Sequence, residues 1–405
     1  MSHTLDEWID LVSDDGWQWY VKYLAGNDTL LTKAHQAGPY IPKAFAFEVF
    51  PSIVREDLMN PRATITALID SHDDQGKPAM IWYNRKTRNE CHFTGWGGSK
   101  SKLLDPDNTG ALTVFAFYRH EGSDAELCRI WIARDLDEEE AILGRVGPVE
   151  PGRGVTFRAG VYLPRDQRAE ERPRDASCML TAGQIPNEWF YTWPNVATVV
   201  KLAIDRLPTS SEDPPDKRLI RRHDCETGIF YSIESAVVLP RIKEGFASVK
   251  LFTDLASTVL NRRKSRHGAS LELHARAIFD EEGVPYSHGE ESEHGKRPDF
   301  LFPSASAYQD GQWPVERLRM LAVKTTCKDR WRQVIDEAER LPTKHLLTLQ
   351  QGVSPKQYAQ MKAAGVVLVV PKPIHENYHE DIRPELWSLE KFIGSTRSAC
   401  SLTIP

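Results

Sequence analysis

Residues 297–302 read RPDFLF and place one carboxylate, Asp299, directly before a short apolar run. Pro298 disfavours a helical conformation for the residue before it, so the chain enters this run extended. The pattern predicts a buried strand with Asp299 at its mouth. Because proline and aspartate also mark ordinary turns, the meaning of Asp299 depends on the segments that follow it.

A second apolar segment, residues 320–325, reads MLAVKT and predicts another buried strand that carries Lys324 near its end. A lysine in such a place is costly to desolvate unless a carboxylate or a phosphate faces it. Residues two apart on a strand share a face, so Ala322 and Lys324 point the same way. Many metal-dependent nucleases carry an acidic residue at the position of Ala322, and here that carboxylate is absent.

Residues 329–341 offer a replacement carboxylate. Trp331, Val334 and Ala338 recur at the spacing of one helix face, which predicts an amphipathic helix. Glu337 lies on this helix and could reach the same metal from a different backbone position. Taken alone, it would belong to a solvated helix face.

Together these residues predict a site for magnesium-dependent phosphodiester hydrolysis. Asp299 and Glu337 would bind Mg²⁺, a hard cation that takes few protein ligands and keeps several waters. The metal would polarise the scissile phosphate and lower the pKa of the attacking water. Lys324 would stabilise the developing negative charge or position the nucleophile. Glu272, on a helix predicted over 270–279, is a candidate second carboxylate behind these three residues.

The segments around this site predict an α/β/α C-terminal domain. Further strands are expected at 345–349 and 366–370, with a helix at 354–364 whose N-cap is Ser354. The order of helices and strands implies a central sheet with helices on both faces.

The N-terminal part reads mostly as short strands separated by turns. Strands are expected at 63–69, 80–83, 112–118, 128–133 and 160–163. Residues 164–175 read PRDQRAEERPRD, a charged stretch typical of an exposed linker. We therefore predict a mostly-β domain over residues 1–165, a linker over 166–183 and a catalytic domain over 184–405.

Composition excludes several classes of protein. The 405 residues carry a formal net charge of −6, which argues against non-specific coating of nucleic acid but allows a local basic cleft. No apolar run is long enough to span a bilayer, and the start of the chain lacks a signal-peptide pattern. The six cysteines form no CxxC pair. We therefore expect reduced thiols, no structural zinc, no disulfide framework and a cytoplasmic protein without membrane contacts.

Residues 324–332 read KTTCKDRWR, and this run, together with RPDFLFPS at 297–304, closely resembles the EcoRII-type restriction endonucleases. Further similar segments are NRRKSR at 261–266, SLELH at 270–274, HQAG at 35–38, KTRNE at 86–90 and NTGALT at 108–113. The similarity therefore spans nearly the whole chain, and its longest run is far more specific than an isolated Pro-Asp pair.

The resemblance implies an N-terminal effector domain with a DNA-binding pseudobarrel fold and a C-terminal domain with the restriction-endonuclease-like PD-(D/E)xK fold. It implies a homodimeric type IIE enzyme that uses Mg²⁺ and binds two or more copies of its double-stranded site. Members of the family recognise CC(A/T)GG and cut before the first C of each strand. The resemblance also implies autoinhibition, in which the effector domain covers the catalytic cleft until it binds DNA.

Site residues follow from the same resemblance. Asp299, Lys324 and Glu337 match its metal and catalytic positions, and Tyr308 and Lys328 match further residues linked to catalysis. Contacts between the catalytic domain and DNA are expected from Arg222, Arg262, Arg263, Lys328, Asp329 and Arg330. Contacts between the effector domain and DNA are expected from His35, Tyr40, Lys86, Arg88, Asn89, Glu90 and His92. Whether Lys328 acts in cleavage or in base recognition stays open.

One departure from the family concerns the effector site. After KTRNE at 86–90 the family pattern has two further basic residues, whereas this chain has Cys91 and His92. Because phosphate and guanine contacts favour Arg and Lys, we expect altered contacts between the effector domain and DNA.

Two alternatives remain at this point. A DNA-binding regulator with an inactive nuclease fold would bind without cutting, and the presence of every expected active-site residue opposes it. A repair-type or RNA-directed nuclease with the same core would show relaxed specificity, and the basic and aromatic run at 328–332 favours specific readout instead. A cytosine methyltransferase is set aside, because the chain has neither a glycine-rich cofactor loop nor a Pro-Cys dipeptide.

Overall fold

The computed structural model describes residues 4–32, 38–85, 89–158, 161–165, 178–208 and 213–401. The chain divides into two compact units. The first unit comprises residues 1–172 together with two later segments, 350–358 and 376–384. The second unit comprises residues 173–349, 359–375 and 385–405. The predicted domain boundaries stay predictions. In the described part of the chain, no helix is both long and apolar enough to cross a membrane.

The N-terminal half is mostly β-structure, as predicted. Its helices are α1 (Leu5–Leu11), α2 (Lys43–Val49) and α3 (Leu136–Val146). Its strands are β1 (Trp17–Tyr23), β2 (Tyr40–Ile41), β3 (Arg62–Thr64), β4 (Thr66–Ile69), β5 (Asp74–Gly76), β6 (Ala79–Tyr83), β7 (Glu90–Thr94), β8 (Leu112–Tyr118), β9 (Leu127–Ile132), β10 (Gly154–Arg158) and β11 (Val161–Arg165).

These strands form two sheets, one in the order β11-β10-β1-β8-β9-β4-β5 and one in the order β2-β7-β6-β3. The strand predicted over 63–69 is interrupted at Ile65, so that β3 pairs with β6 while β4 pairs with β9. Alternate residues of β8 enter two separate cores, Phe115 and Phe117 on one face and Val114 and Ala116 on the other. This is the period-two alternation of a strand buried on both faces.

The first unit contains a close approach that only glycine permits. The backbone N–H of Gly26 donates to the carbonyl of Gln351 at 2.9 Å. A Cβ atom at Gly26 would lie 1.9 Å from the carbonyl oxygen of Asn377. Segments 350–358 and 376–384 therefore pack within this unit at a distance that a side chain would not allow.

The C-terminal half contains the remaining helices, α4 (Val196–Arg206), α5 (Pro215–Glu244), α6 (Val249–Glu281), α7 (Ala305–Gln309), α8 (Pro355–Ala363) and α9 (Leu389–Ser401). Its strands are β12 (Ser287–His288), β13 (Phe300–Phe302), β14 (Arg319–Val323), β15 (Lys344–Leu347) and β16 (Val366–Val369), and they form one sheet in that order. β12, β13 and β14 are antiparallel neighbours, whereas β14, β15 and β16 run parallel.

The predicted strands and the helix at 354–364 are confirmed within a few residues, and the side chain of Ser354 caps that helix by accepting from the N–H of Gln357 at 3.2 Å.

Helix α6 covers one face of the sheet. The ring of Phe279 lies 5.2 Å from that of Phe300 and 5.3 Å from that of Phe302. These contacts fix the strand that follows Asp299.

The helix predicted over 329–341 is wrong. Only residues 330–334 are helical, as a short 3-10 turn, and the segment continues as turns. In these turns a backbone N–H donates to the carbonyl three residues earlier. Glu337 donates in this way to Val334 at 3.2 Å, and Leu341 to Ala338 at 3.1 Å. Val334, Ala338 and Leu341 are nevertheless all buried, at spacings of four and three residues, which explains why the apolar stripe resembled an α-helix.

Helices α5 and α6 pack against each other through buried ion pairs. Arg266 is 2% exposed and bonds through Nε to the carboxylate of the fully buried Glu226 at 2.9 Å. Arg263 bonds in the same way to Glu234 at 2.9 Å. Charged residues thus occupy positions that an apolar stripe would otherwise fill, because each is paired inside the fold.

A disulfide links Cys178 and Cys225, whose Cα atoms lie 5.1 Å apart. Both residues are buried in a core that also contains Trp189 and Ile229. The prediction of reduced thiols throughout the chain is therefore wrong for this pair. The two cysteines are separated by 47 positions, so no local motif marks them. The fold brings them together by packing the segment before α4 against α5.

Candidate active site

Asp299 and Lys324 meet at the ends of neighbouring strands. In the antiparallel pairing of β13 with β14, Phe300 lies opposite Leu321, so the residue before β13 faces the end of β14. The Oδ2 atom of Asp299 accepts a hydrogen bond from the backbone N–H of Val323 at 2.6 Å and lies 3.4 Å from Nζ of Lys324. The strand register alone therefore sets this carboxylate beside this ammonium group.

Glu337, on the turns that follow residue 334, lies near enough to the same pair for its carboxylate to interact electrostatically with both groups. Burial raises the pKa of Glu337 to about 7; the positive charge of Lys324 opposes this shift, and the negative charge of Asp299 adds to it. The Oε2 atom of Glu337 is buried and has no hydrogen-bond partner in the described part of the chain. The structure thus brings together the three residues at the centre of the predicted site.

A loop over residues 289–298 donates hydrogen bonds to the backbone of both carboxylate residues, Asp299 and Glu337. The N–H of Gly289 donates to the carbonyl of Asp299 at 3.1 Å, and Oγ of Ser292 donates to the carbonyl of Glu337 at 2.7 Å. This loop was not among the predicted site residues. Its signal is the run HGEESEHGK at 288–296, which resembles a solvated turn and precedes Asp299 directly.

Tyr308 lies on α7 behind the turn that carries Glu337. It is 3% exposed, and its hydroxyl oxygen accepts from the backbone N–H of Arg340 at 3.2 Å. Burial raises its pKa, and a hydrogen bond with Glu293 adds to the shift. These contacts make Tyr308 a support for the 337–340 turn.

The residues predicted to read bases are Lys328, Asp329 and Arg330. They lie in a short segment between two buried residues, Cys327 and Trp331. Cys327 is fully buried, and its carbonyl accepts from the N–H of Trp331 at 3.2 Å. Trp331 is itself only 5% exposed. The three intervening side chains are half-buried and therefore sit on a segment fixed at both ends.

Glu272 faces a histidine. Its carboxylate pairs with Nε2 of His288, and both side chains are about a third exposed. His288 lies opposite Phe300 in the pairing of β12 with β13. Glu272 is therefore placed beside the strand that follows Asp299.

Two of the predicted DNA-contacting arginines are buried in this structure. Arg222 is 2% exposed and bonds to the carboxylate of Glu281 at 3.0 Å, and Arg263 is 7% exposed and pairs with Glu234. DNA contacts from either residue would require these ion pairs to open. Arg262, in contrast, lies half-buried at the surface of α6.

Three of the described candidates of the effector site, Tyr40, Glu90 and His92, lie on the second sheet, and Asn89 directly precedes it. The ring of His92 lies between those of Tyr40 and Tyr83, with centroids 5.7 and 5.8 Å away. Its Nε2 atom is 3.4 Å from the carboxylate of Glu90. These four side chains form one contiguous surface. The other three candidates, His35, Lys86 and Arg88, lie outside the described residues.

Cys91 and His92, the two residues of β7 that depart from the family pattern, point to opposite faces of the strand. Cys91 is fully buried in the core of the domain, because side chains alternate between the faces of a strand. His92 points the other way and is partly exposed. Asn89, directly before β7, is exposed, and its Oδ1 accepts from the indole N–H of Trp82 at 3.0 Å. Of the pair, only His92 is placed to change contacts with DNA, which corrects our expectation for Cys91.

Comparison with known proteins covers both halves of the chain. The family model described as EcoRII C terminal matches residues 230–393, and that described as Restriction endonuclease EcoRII, N-terminal, matches residues 13–160. The type II restriction enzyme EcoRII from Escherichia coli is 41% identical over 395 residues, which is 96% of either chain.

Similarity to solved structures is weaker, and no inference rests on it. Metal-depleted Ecl18kI in complex with uncleaved, modified DNA gives a TM-score of 0.46 at 18% identity, over 56% of this chain and 87% of that one. The PspGI–substrate DNA complex gives 0.42 at 14% identity, over 56% and 99%. The sequence similarity is decisive by itself: the chain belongs to the EcoRII family of type II restriction endonucleases.

Proposed function

We propose that this enzyme hydrolyses double-stranded DNA at CC(A/T)GG in a Mg²⁺-dependent reaction carried by Asp299, Lys324 and Glu337. The convergence of these three side chains at one end of the sheet carries the proposal. The recognition sequence follows from the similarity to the family. Within this proposal the C-terminal domain has the PD-(D/E)xK architecture, with its second carboxylate supplied by Glu337.

The two carboxylates fit a magnesium ion. Among the described residues, no cluster of three or more His, Cys, Asp or Glu side chains forms a metal site, so Asp299 and Glu337 would be the protein ligands. Two oxygen ligands suit Mg²⁺, which keeps several of its waters. The unpartnered, buried Oε2 atom of Glu337 supports this assignment, because a buried carboxylate oxygen normally has a partner. A bound Mg²⁺ would supply charge to the phosphate and acidify a water.

The protein prepares the rest of the site. The N–H of Val323 fixes the orientation of the Asp299 carboxylate. Lys324 presents a partly exposed ammonium group beside it, placed to stabilise charge on a phosphate oxygen. Tyr308 holds the turn that carries Glu337, and Asp329 and Arg330 read bases. Lys328, on the same segment, acts either in cleavage or in base readout.

The raised pKa of Glu337 predicts a stability difference that reports on the site without cleavage. The carboxyl titrates at about 7 when folded, against an ordinary value of 4.5. As the pH rises between these values the unfolded chain loses its proton first, so the folded state becomes less stable. In metal-free buffer at pH 8, Glu337→Gln should therefore be more stable than the unsubstituted enzyme by roughly 1–2 kcal/mol, allowing for partial exposure. Thermal denaturation at pH 5 and pH 8 measures this.

The control is Glu339→Gln on the same turn. Its carboxylate is exposed, and its hydrogen bond with Lys296 lowers its pKa, so this variant should show no such gain. Titrating Mg²⁺ at pH 8 should raise the melting temperature of the unsubstituted enzyme and of Glu339→Gln, but much less that of Glu337→Gln. Equal responses of the two variants to Mg²⁺ would remove Glu337 from the metal site.

The N-terminal part acts, in this proposal, as an effector domain with a pseudobarrel fold that binds a further copy of the site and restrains the catalytic domain. The surface around Tyr40, Glu90 and His92 supports DNA binding there. The enzyme works as a homodimer, since both strands of a symmetric site must be cut. The domains are proposed to span residues 1–165 and 184–405, joined by a charged linker.

A further inference from the structure

A second surface of the C-terminal half contains none of Asp299, Lys324 and Glu337, and it includes one of the expected DNA contacts, Arg262. It is built on Trp193, which lies before α4 and contacts Phe230 of α5 edge-on, with ring centroids 5.4 Å apart. The guanidinium group of Arg262, on α6, stacks on the indole of Trp193 at 4.3 Å. Helices α5 and α6 and the segment before α4 thus hold one aromatic–cation pair in place.

The stack separates two hollows. On one side is a pocket of about 440 Å³, with apolar walls that include Val196, Val199 and Phe230. The exposed side chains of Asn261 and Ser265 lie at its rim, where they can donate and accept hydrogen bonds. This volume lies within the range of small-molecule sites, which combine apolar walls with a few polar groups. A smaller hollow lies on the other side of the stack.

The smaller hollow adds charge and a second aromatic ring. It is lined by Arg241 and by Tyr191, whose side chain is 92% exposed. An exposed tyrosine beside arginines is the composition of a stacking platform for nucleobases.

The two arginines form no ion pair within the part of the chain that the structure describes. Burial lowers the pKa of Arg262, the positive charge of Arg241 lowers it further, and Glu234 opposes both. Glu234, however, is already bonded to Arg263 at 2.9 Å. Among the described residues, neither Arg241 nor Arg262 has a carboxylate within ion-pair distance. Two neighbouring cations beside an apolar pocket are therefore complementary to a ligand that carries both an anionic group and a flat apolar ring.

We propose that this surface binds a nucleotide, with the base in the apolar pocket against Trp193 and the phosphate between Arg241 and Arg262. Arginine is well suited to phosphate, and aromatic rings to stacking with a base. The nucleotide is either a free mononucleotide or an unpaired nucleotide in a DNA strand. The catalytic residues take no part in this binding, so it goes beyond the cleavage reaction.

The experiment uses the full-length enzyme without divalent cations, so that no DNA is cut. Isothermal titration with 5′-deoxyadenosine monophosphate is compared with titration by deoxyadenosine and by inorganic phosphate. Fluorescence anisotropy compares a short duplex carrying one unpaired nucleotide with the fully paired duplex, both lacking CC(A/T)GG. The variants are Arg262→Gln, Arg241→Gln and Tyr191→Ala. The control is Lys250→Gln, an exposed position about 18 Å along α6 from Arg262.

We expect the mononucleotide to bind more tightly than either fragment, and Arg262→Gln to weaken it about tenfold or more, with Lys250→Gln unchanged. If only the duplex with the unpaired nucleotide binds preferentially, and Arg262→Gln removes this preference, DNA is the source of the ligand. The proposal is overturned if neither probe binds preferentially, or if the variants bind both probes as the unsubstituted enzyme does. It is also overturned if the substitutions change only the sedimentation of the enzyme, since the patch would then be an interface between copies. Cleavage of a cognate plasmid with Mg²⁺ tests the proposed function separately.

Discussion

Full-length enzyme carrying Glu337→Gln should cleave DNA about a thousandfold more slowly than the unsubstituted enzyme, or worse, while still binding its site. The substitution removes one of two protein ligands for the metal, and the metal contributes several kcal/mol to charge stabilisation in such reactions. Binding should persist, because the residues of the 328–330 segment and the anchors Cys327 and Trp331 are untouched. Single-turnover cleavage and anisotropy in Ca²⁺ or EDTA measure the two quantities separately.

Glu337 is a cleaner position for this test than Asp299. The carboxylate of Asp299 also accepts the backbone N–H of Val323, so its replacement disturbs the strand end as well as the metal site. Glu339→Gln is the matched control, because it makes the same chemical change two positions away on the solvent side. Normal cleavage by Glu337→Gln would show that another group supplies the second carboxylate.

Removal of the N-terminal domain should raise cleavage of DNA that carries a single site, by about tenfold if the coupling between the domains is of usual size. A chain that starts at residue 176 retains Cys178 and therefore its disulfide with Cys225. The reason is the proposed autoinhibition, in which the effector domain restrains the catalytic domain until DNA binds it. Initial rates on a single-site plasmid, compared with a plasmid carrying several sites, measure the effect.

A point substitution provides the same test in the intact chain. Gly26→Ala introduces a Cβ where the carbonyl of Asn377 leaves no room, so segment 376–384 must shift. We expect a smaller rise in single-site cleavage than the truncation gives. Gly144→Ala is the control: like Gly26 it lies outside the left-handed region, but its Cβ would meet open space. Unchanged single-site activity in both the truncated chain and Gly26→Ala would argue against autoinhibition.

The proximity of Asp299 and Lys324 could be predicted from the sequence, because it depends only on two short strands and their pairing. Asp299 and Lys324 each border a short apolar strand, and strand pairing alone brings them within 3.4 Å. Glu337 was also identified, although the helix on which we placed it does not exist. The residues Val334, Ala338 and Leu341 are buried at spacings of four and three, which an α-helix face produces and which this run of turns also shows. The side-chain pattern therefore predicted which residues are buried, although it predicted the wrong backbone conformation.

The long helices α5 and α6 were largely missed for the opposite reason. Arg222, Glu226 and Arg266 lie inside the helix pair and interrupt its apolar stripe, and their partners are distant in sequence. The same distance hides the Cys178–Cys225 disulfide. In β7, strand alternation shows that Cys91 lies in the core, a distinction that the family pattern alone did not provide.

The most direct test of the central claim is a digest of a plasmid with several CC(A/T)GG sites, in Mg²⁺ and in EDTA, followed by sequencing of the fragment ends. The account predicts discrete fragments in Mg²⁺ alone, with every end lying before the first C of that sequence. Mg²⁺-dependent ends without a common sequence, cleavage in EDTA, or no cleavage of a multi-site substrate would contradict it.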